Sequence, residues 1–294
     1  MISAPHSISE GATQRLVLFF GVLFVLVVTS SLLTWTMNID ILSLGPVYMF
    51  TPLIAAMTVC YFHNIPLRDV GLRLGRRRWI VFSAVVWPPV ALVIAGVSTL
   101  VPGVWFDPSL IPAETGVPND PIWMLLGLIA LVAVMIVIGA TINTVLAFGE
   151  EFGWRGYLLW ELAPLGFWNA SFLIGLVWGL WHAPLVVAGL NYPTFPILGV
   201  FVFTLVCIVV SPIYTYLVVR SGSVIPAAVF HGVFNATGLV ALAETDSNIL
   251  RELVASEGGV AGLTVFLFVL LGIWWLDPPL DDTTVVLASK RDVK

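Results

Sequence analysis

Glu150 and Glu151 stand side by side, with Arg155 four residues beyond the second, in a chain whose neighbouring stretches are almost wholly apolar. Further along come Trp178 and His182, then His231 and Asn235, each pair again spaced by four. Carboxylates at bilayer depth cost roughly 2.5 to 3.5 kcal/mol each, so a pair of them points to catalysis or ion handling. On a helix Glu151 and Arg155 face one another, with the glutamate on the favourable N-terminal side. Glu150 projects about 100° away, and desolvation together with its like-charged neighbour fits it to act as a general base. His231 and Asn235 share one helical face, where an imidazole and an amide can reach a common point; two donors aimed at one spot suit an oxyanion. His182 taken alone is more often a satisfied core histidine. Three segments that each bring polar groups into an apolar interior make a shared site the expectation.

The elements that must position these groups are membrane helices. Of 294 residues, 59% are apolar and 10% charged, and a hydrocarbon core of roughly 30 Å needs about 20 helical residues to cross it. Eight segments meet that test, at 16–37, 45–63, 79–101, 122–148, 167–190, 194–219, 223–243 and 259–276. The expected fold is all-α, a polytopic bundle of about eight transmembrane helices with a polar site inside it. A membrane barrel would alternate in segments of about ten residues and is excluded. The first run is too long for a signal-peptide core and reads as a retained anchor.

No internal repeat or long linker divides the chain, so residues 1–294 read as a single integral membrane domain. Residues 1–14 with His6, and the tail after Trp275, where Pro278, Pro279, Asp281 and Asp282 end the last helix, read as flexible. A short surface helix is expected at 248–255. Cys60 and Cys207 lie within apolar spans without local partners, as small core residues.

Basic residues set the orientation. Arg68, Arg73, Arg76, Arg77 and Arg78 crowd the link between segments two and three, whereas the next link carries Asp107, Glu114 and Asp120 with no Lys or Arg. With eight spans and the Arg-rich link inside, both termini are cytoplasmic, and Arg15, Arg220, Lys290, Arg291 and Lys294 join it there. Only Arg251 falls outside. The protein then belongs to a membrane, most simply the cell membrane.

Residues that share a site must lie at comparable heights on their helices. If helix four stopped at Phe148 they would not, so it is expected to run through Leu158 to Ala163 and turn at Pro164-Leu165-Gly166. Glu150 then sits about 14 residues, or roughly 21 Å, from that turn, His182 roughly 24 Å from it, and His231 roughly 12 Å from its own inner helix end. Trp154, Trp160 and Trp168 fit an interfacial belt around this hairpin.

In this order the residues resemble the motifs of the CPBP family of intramembrane proteases, the CAAX protease and bacteriocin-processing or Abi family that includes the Rce1-type CAAX prenyl endopeptidases. Two glutamates, three residues and an arginine are Glu150, Glu151 and Arg155. An aromatic, three residues and a histidine are Trp178 and His182, with tryptophan where the family has phenylalanine. Histidine, three residues and asparagine are His231 and Asn235. The resemblance covers a core of about 120–245.

That resemblance implies peptide-bond hydrolysis in a water-filled chamber open to the cytoplasmic side. Glu150 would deprotonate a water that His182 orients, His231 and Asn235 would stabilise the oxyanion, and Glu151 and Arg155 would hold the helix geometry, with Trp178 packed beside the histidine. Metal use stays open. A metal-free glutamate mechanism and a zinc held by Glu150, His182 and His231 are both chemically allowed, although no His-Glu-x-x-His helix is present. The partners implied are the lipid bilayer and a membrane-associated peptide or protein substrate, whether a prenylated C-terminus, a bacteriocin leader, a membrane-anchored regulator or a self-immunity target; nucleic acid is not among them. A non-catalytic scaffold or immunity protein of the same superfamily and an ion-coupled transporter are the competing classes, though the inverted repeat expected of a transporter is not evident.

Overall fold

A computed structural model describes residues 10–236 and 238–277. The stretch through Ser9, with His6, and the polar tail from Pro278, with Lys290, Arg291 and Lys294, lie outside the described residues. The all-α expectation holds: six helical stretches are long and apolar enough to cross a membrane, the sixth of them Ile225–Leu242, whose regular helix is Ile225–Ala236, and two shorter apolar helices, Phe167–Trp181 and Val260–Leu276, complete the set. In chain order they are α1 (Glu10–Met37), α2 (Ile41–Phe62), α3 (Arg77–Ser98), α4 (Pro121–Leu165), α5 (Phe167–Trp181), α6 (Pro196–Ser221), α7 (Ile225–Ala236) and α8 (Val260–Leu276). Their outer surfaces carry large exposed apolar side chains such as Phe24, Phe201, Phe268 and Leu271, as helices facing lipid require.

Several boundaries differ from the sequence reading, each for a local reason. Residues 10–14 are helical rather than loose, because Arg15 pins the start of α1 to Glu161 through two hydrogen bonds of 2.8 and 2.6 Å. Helix α5 stops at Trp181 instead of 190. Pro184 lacks the N–H that would bond the carbonyl of Leu180, so the chain breaks at His182 and resumes as a five-residue helix, Ala183–Val187. Helix α7 ends at Ala236, at 12 residues only about 18 Å long, and is buried along most of its length among α3, α4 and α6. The outer-link helix is present as Asn248–Leu253.

Helix α4 is continuous from Pro121 to Leu165, as the depth argument required. Gly166 ends it at φ 83°, a backbone state that glycine adopts freely. Two π-helical stretches interrupt its α geometry, Gly139–Asn143 and Phe152–Leu158. The second carries Arg155, and such wide turns concentrate at functional sites.

Small residues let the site-bearing helices approach closely. Gly149 and Gly153, one turn apart on either side of the glutamate pair, lie against α2, where an added Cβ at Gly149 would stand 2.7 Å from the Met49 carbonyl oxygen. Gly175 and Gly179 do the same for α5 on α6, with a Cβ at Gly179 falling 2.5 Å from Thr204 Cα.

The bundle has two distinct ends. At one, the Arg-rich link docks on the α6–α7 turn, with the Arg76 N–H donating to the Ser221 carbonyl at 2.9 Å and the Val224 N–H to Gly71 at 3.0 Å. The start of α1, the end of α4 and the Arg220–Asp277 ion pair at the end of α8 lie at this same end. At the other, β1 (Trp105–Phe106) pairs antiparallel with β2 (Ala243–Glu244), and the Tyr192 hydroxyl donates to the Gly258 carbonyl at 2.6 Å. This end is the acidic one, holding Asp107, Glu114, Asp120, Glu244, Glu252 and Glu257 with Arg251.

Candidate functional site

Glu150, Glu151, Arg155, Trp178, His182 and His231 all come together inside the bundle, each with less than a tenth of its surface exposed. The two glutamates part as their 100° separation requires. Glu150 lines a cavity of about 550 Å³ together with Trp178, His182, Tyr214, His231 and Asn235. Glu151 turns the other way and is fully buried.

The indole N–H of Trp178 donates to Glu150 Oε2 at 2.7 Å. Glu151 Oε1 accepts from two groups, Arg155 at 3.0 Å and His231 Nδ1 at 2.8 Å. Arg155 is further held by its rings: its guanidinium carbon lies 4.2 Å from the centroid of Trp178 and 4.6 Å from that of Tyr214. Stacking of this kind stabilises a desolvated guanidinium. That matters here, because Arg155 Nε and one terminal nitrogen have no hydrogen-bond partner among the described residues.

The two histidines are prepared differently. His182 Nδ1 sits 2.9 Å from the Trp178 carbonyl oxygen, an atom that can only accept, so the proton is on Nδ1 and Nε2 keeps its lone pair in the neutral ring. His182 is a hydrogen-bond acceptor at Nε2, enclosed by the rings of Trp181 and Phe203 at 4.6 and 4.7 Å. His231 donates from Nδ1 to a carboxylate instead, so its Nε2 donates whenever the ring carries a second proton. Asn235, one turn further on α7, is exposed at the cavity wall.

Parts of this arrangement were not legible in sequence. Trp178 does more than pack, since its N–H reaches Glu150. Glu151 holds a histidine as well as an arginine. Tyr214 was not singled out, and neither was the chain in which the Tyr48 hydroxyl donates to the Trp181 carbonyl at 2.8 Å and the Trp181 indole to Thr51 at 3.0 Å. The available signal was that a buried Tyr or Trp carries a polar atom in need of a partner. Trp154 is also not interfacial: it is fully buried, with its ring edge-on to Phe19 and Trp181.

Among the described residues no three His, Cys, Asp or Glu side chains are grouped so as to hold a metal ion, Glu150, His182 and His231 included. One expectation needs correction, and it concerns access. The cavity rim is formed by Leu42, Asn191, Gly238, Glu257 and Gly258, all at the acidic end, while the start of α1 and the end of α8 lie at the Arg-rich end. Termini and cavity mouth cannot both be cytoplasmic, because helix lengths and the four-residue spacing of the motifs do not report which end of a chamber is open.

Residues 122–237 match the sequence model of the family described as type II CAAX prenyl endopeptidase Rce1-like, a segment that contains every candidate site residue from Glu150 to Asn235. No curated protein matches the chain.

Proposed function

We propose that this chain, which carries an Rce1-like protease domain consistent with the CPBP family, is an intramembrane endopeptidase that cleaves a peptide bond with water activated by Glu150. The observation that carries the reading is the gathering of Glu150, His182, His231 and Asn235 around one chamber in an otherwise apolar bundle.

Each group has a distinct part in this scheme. A water hydrogen-bonds to the His182 Nε2 lone pair and gives its other proton to Glu150 as its oxygen attacks the scissile carbonyl carbon. The oxyanion that forms is held by the Asn235 amide and, with the ring carrying its second proton, by His231 Nε2–H. Collapse of the tetrahedral centre breaks the C–N bond, and Glu150 returns its proton to the departing amine. Glu151 holds His231 through Nδ1 and is held in turn by Arg155. No step requires a serine or cysteine nucleophile or passes through a metal.

The substrate in this proposal is a membrane-associated peptide or protein, of the CAAX type or a leader peptide. Comparing peptide termini in membranes from cells carrying the wild type or Glu150→Gln tests it. New termini that depend on Glu150 are expected, and identical sets of termini would sink the protease reading.

A further inference from the structure

We infer that a cleft between α3, α6 and α8 holds one acyl chain of an anionic phospholipid whose phosphate sits against Arg78, a binding site separate from the chamber and independent of what the chamber does.

The cleft encloses about 110 Å³, and its exposed lining is wholly apolar. In this it differs from the chamber and from the polar cavity of about 390 Å³ that shares Asn191, Glu257 and Gly258 with the chamber. An apolar cavity of roughly 150 Å³ in a soluble protein stays dry and takes up benzene rather than water. Within a bilayer the apolar matter at hand is hydrocarbon chain. Trp87 and Phe230 are buried at the back of the cleft with their rings edge-on at 5.9 Å, whereas Phe82 at its edge is 44% exposed. A chain can therefore enter sideways from the lipid.

The three helices carry their lining in rows that all end in charge. On α3, Phe82, Val86 and Val90 recur every four residues over about 12 Å of helix, and Arg78 continues that row one turn toward the Arg-rich link. On α6, Ile213 and Tyr216 are followed by Arg220; on α8, Val269 and Ile273 are followed by Asp277. A hydrocarbon cleft thus runs up to a polar rim at the Arg-rich end, as a lipid with its head group there requires.

Charge at the rim selects the head group. Arg220 pairs with Asp277, to which the Tyr216 hydroxyl also donates at 3.1 Å. Arg220 nevertheless keeps its Nε–H without a partner, and Arg78 is exposed and makes no ion pair among the described residues. With Arg76 and Arg77 adjoining Arg78, four arginines stand with the single carboxylate of Asp277. A phosphodiester supplies the missing negative charge in a geometry that guanidinium groups match, whereas the choline of a zwitterionic lipid would add a further cation. Arginines near span ends mark the cytoplasmic side, where anionic lipids give the leaflet its negative potential.

An occupied cleft would brace α7. Phe230 immediately precedes His231 and meets Tyr214 edge-on at 5.0 Å, and the Trp87 ring lies 4.2 Å from that of Phe234. Lipid in the cleft therefore supports, from the side of α3, the helix that carries His231 and Asn235.

Native mass spectrometry and thermal unfolding of the full chain, purified in detergent and stripped of lipid, test the site with dioleoylphosphatidylglycerol as the probe. This lipid is expected to persist as a single adduct and to raise the unfolding temperature as its concentration rises. Dioleoylphosphatidylcholine, with the same chains, should bind at least about fivefold more weakly, and Arg78→Ala should weaken phosphatidylglycerol binding roughly fivefold, the effect of one basic residue at a membrane surface. Val269→Phe, which fills the cleft and leaves the rim intact, should also weaken it. Equal binding of the two lipids, unchanged affinity in Arg78→Ala, or an equal stabilisation by inorganic phosphate alone overturns the inference. Displacement of phosphatidylglycerol by farnesol at equal concentration would give the cleft to a prenyl chain and overturns it as well. Should Val269→Phe fail to fold, Arg78→Ala, at an exposed position, still decides the outcome.

Discussion

Trp178 Nε1 lies 2.7 Å from Glu150 Oε2 and donates its proton to it, a bond that phenylalanine, the residue of the family motif that this position resembles, cannot make. A hydrogen bond to a charged group contributes about 1.5 to 3 kcal/mol. Trp178→Phe is therefore expected to lower kcat roughly tenfold or more with little change in KM, since phenylalanine keeps an aromatic ring at the chamber wall and loses only the bond to the base. An unchanged kcat would show that the bond does not serve catalysis.

The two glutamates should fail in different ways. Glu150→Gln is expected to reduce cleavage by about 10²- to 10⁴-fold, the range for loss of a general base, while thermal unfolding in detergent stays near wild type. Glu151→Ala leaves Arg155 buried without its counter-charge and should cost about 3 to 5 kcal/mol, seen as a lower unfolding temperature and reduced yield. If the two variants show the same stability, the division of labour between them is wrong.

Asn235 faces the chamber but touches none of the buried ion-pair network among the described residues. Asn235→Ala should lower kcat by about 10²- to 10³-fold, as loss of one oxyanion donor does, without altering the unfolding temperature. Asn235→Asp, which replaces the donor with a negative charge, should be worse. Equal activity of the two would remove Asn235 from the oxyanion site.

Glu257 stands at the rim between the two cavities, and burial raises its carboxyl above its ordinary value of 4.5. A group whose folded pKa is raised contributes stability below the unfolded value, and that contribution is lost as pH rises through the folded value. Glu257→Gln, neutral throughout, should therefore unfold at a higher temperature than wild type at pH 7.5, with the difference shrinking toward pH 4. A gap of constant size would point to a cause other than ionisation.

Close contact of α5 with α6 holds Trp178 and His182 against the chamber. Gly179→Leu would drive a side chain into Thr204 on α6 and should cost at least about 1 to 3 kcal/mol, the usual effect of overpacking. Gly238→Ala, at a rim position with open space around it, should leave the unfolding temperature within about a degree of wild type. A wild-type unfolding temperature for Gly179→Leu would argue against the packing described.

Legible along the chain were the helical membrane class, the ion pair of Glu151 with Arg155, the opposite facing of Glu150, and the continuation of α4 to its turn at Gly166. These follow from apolar run length, from helical periodicity and from the cost of an unmatched charge in an apolar interior, all of which are local along the chain. Helix packing is what brings the Trp178 indole to Glu150, gives Glu151 His231 as a second partner, stacks Tyr214 on Arg155, and leaves the chamber open at the acidic end. Such relations join residues 28 to 80 positions apart. They depend on how closely glycine-bearing helices pack and on where α5 and α7 stop, which no single helix's periodicity encodes.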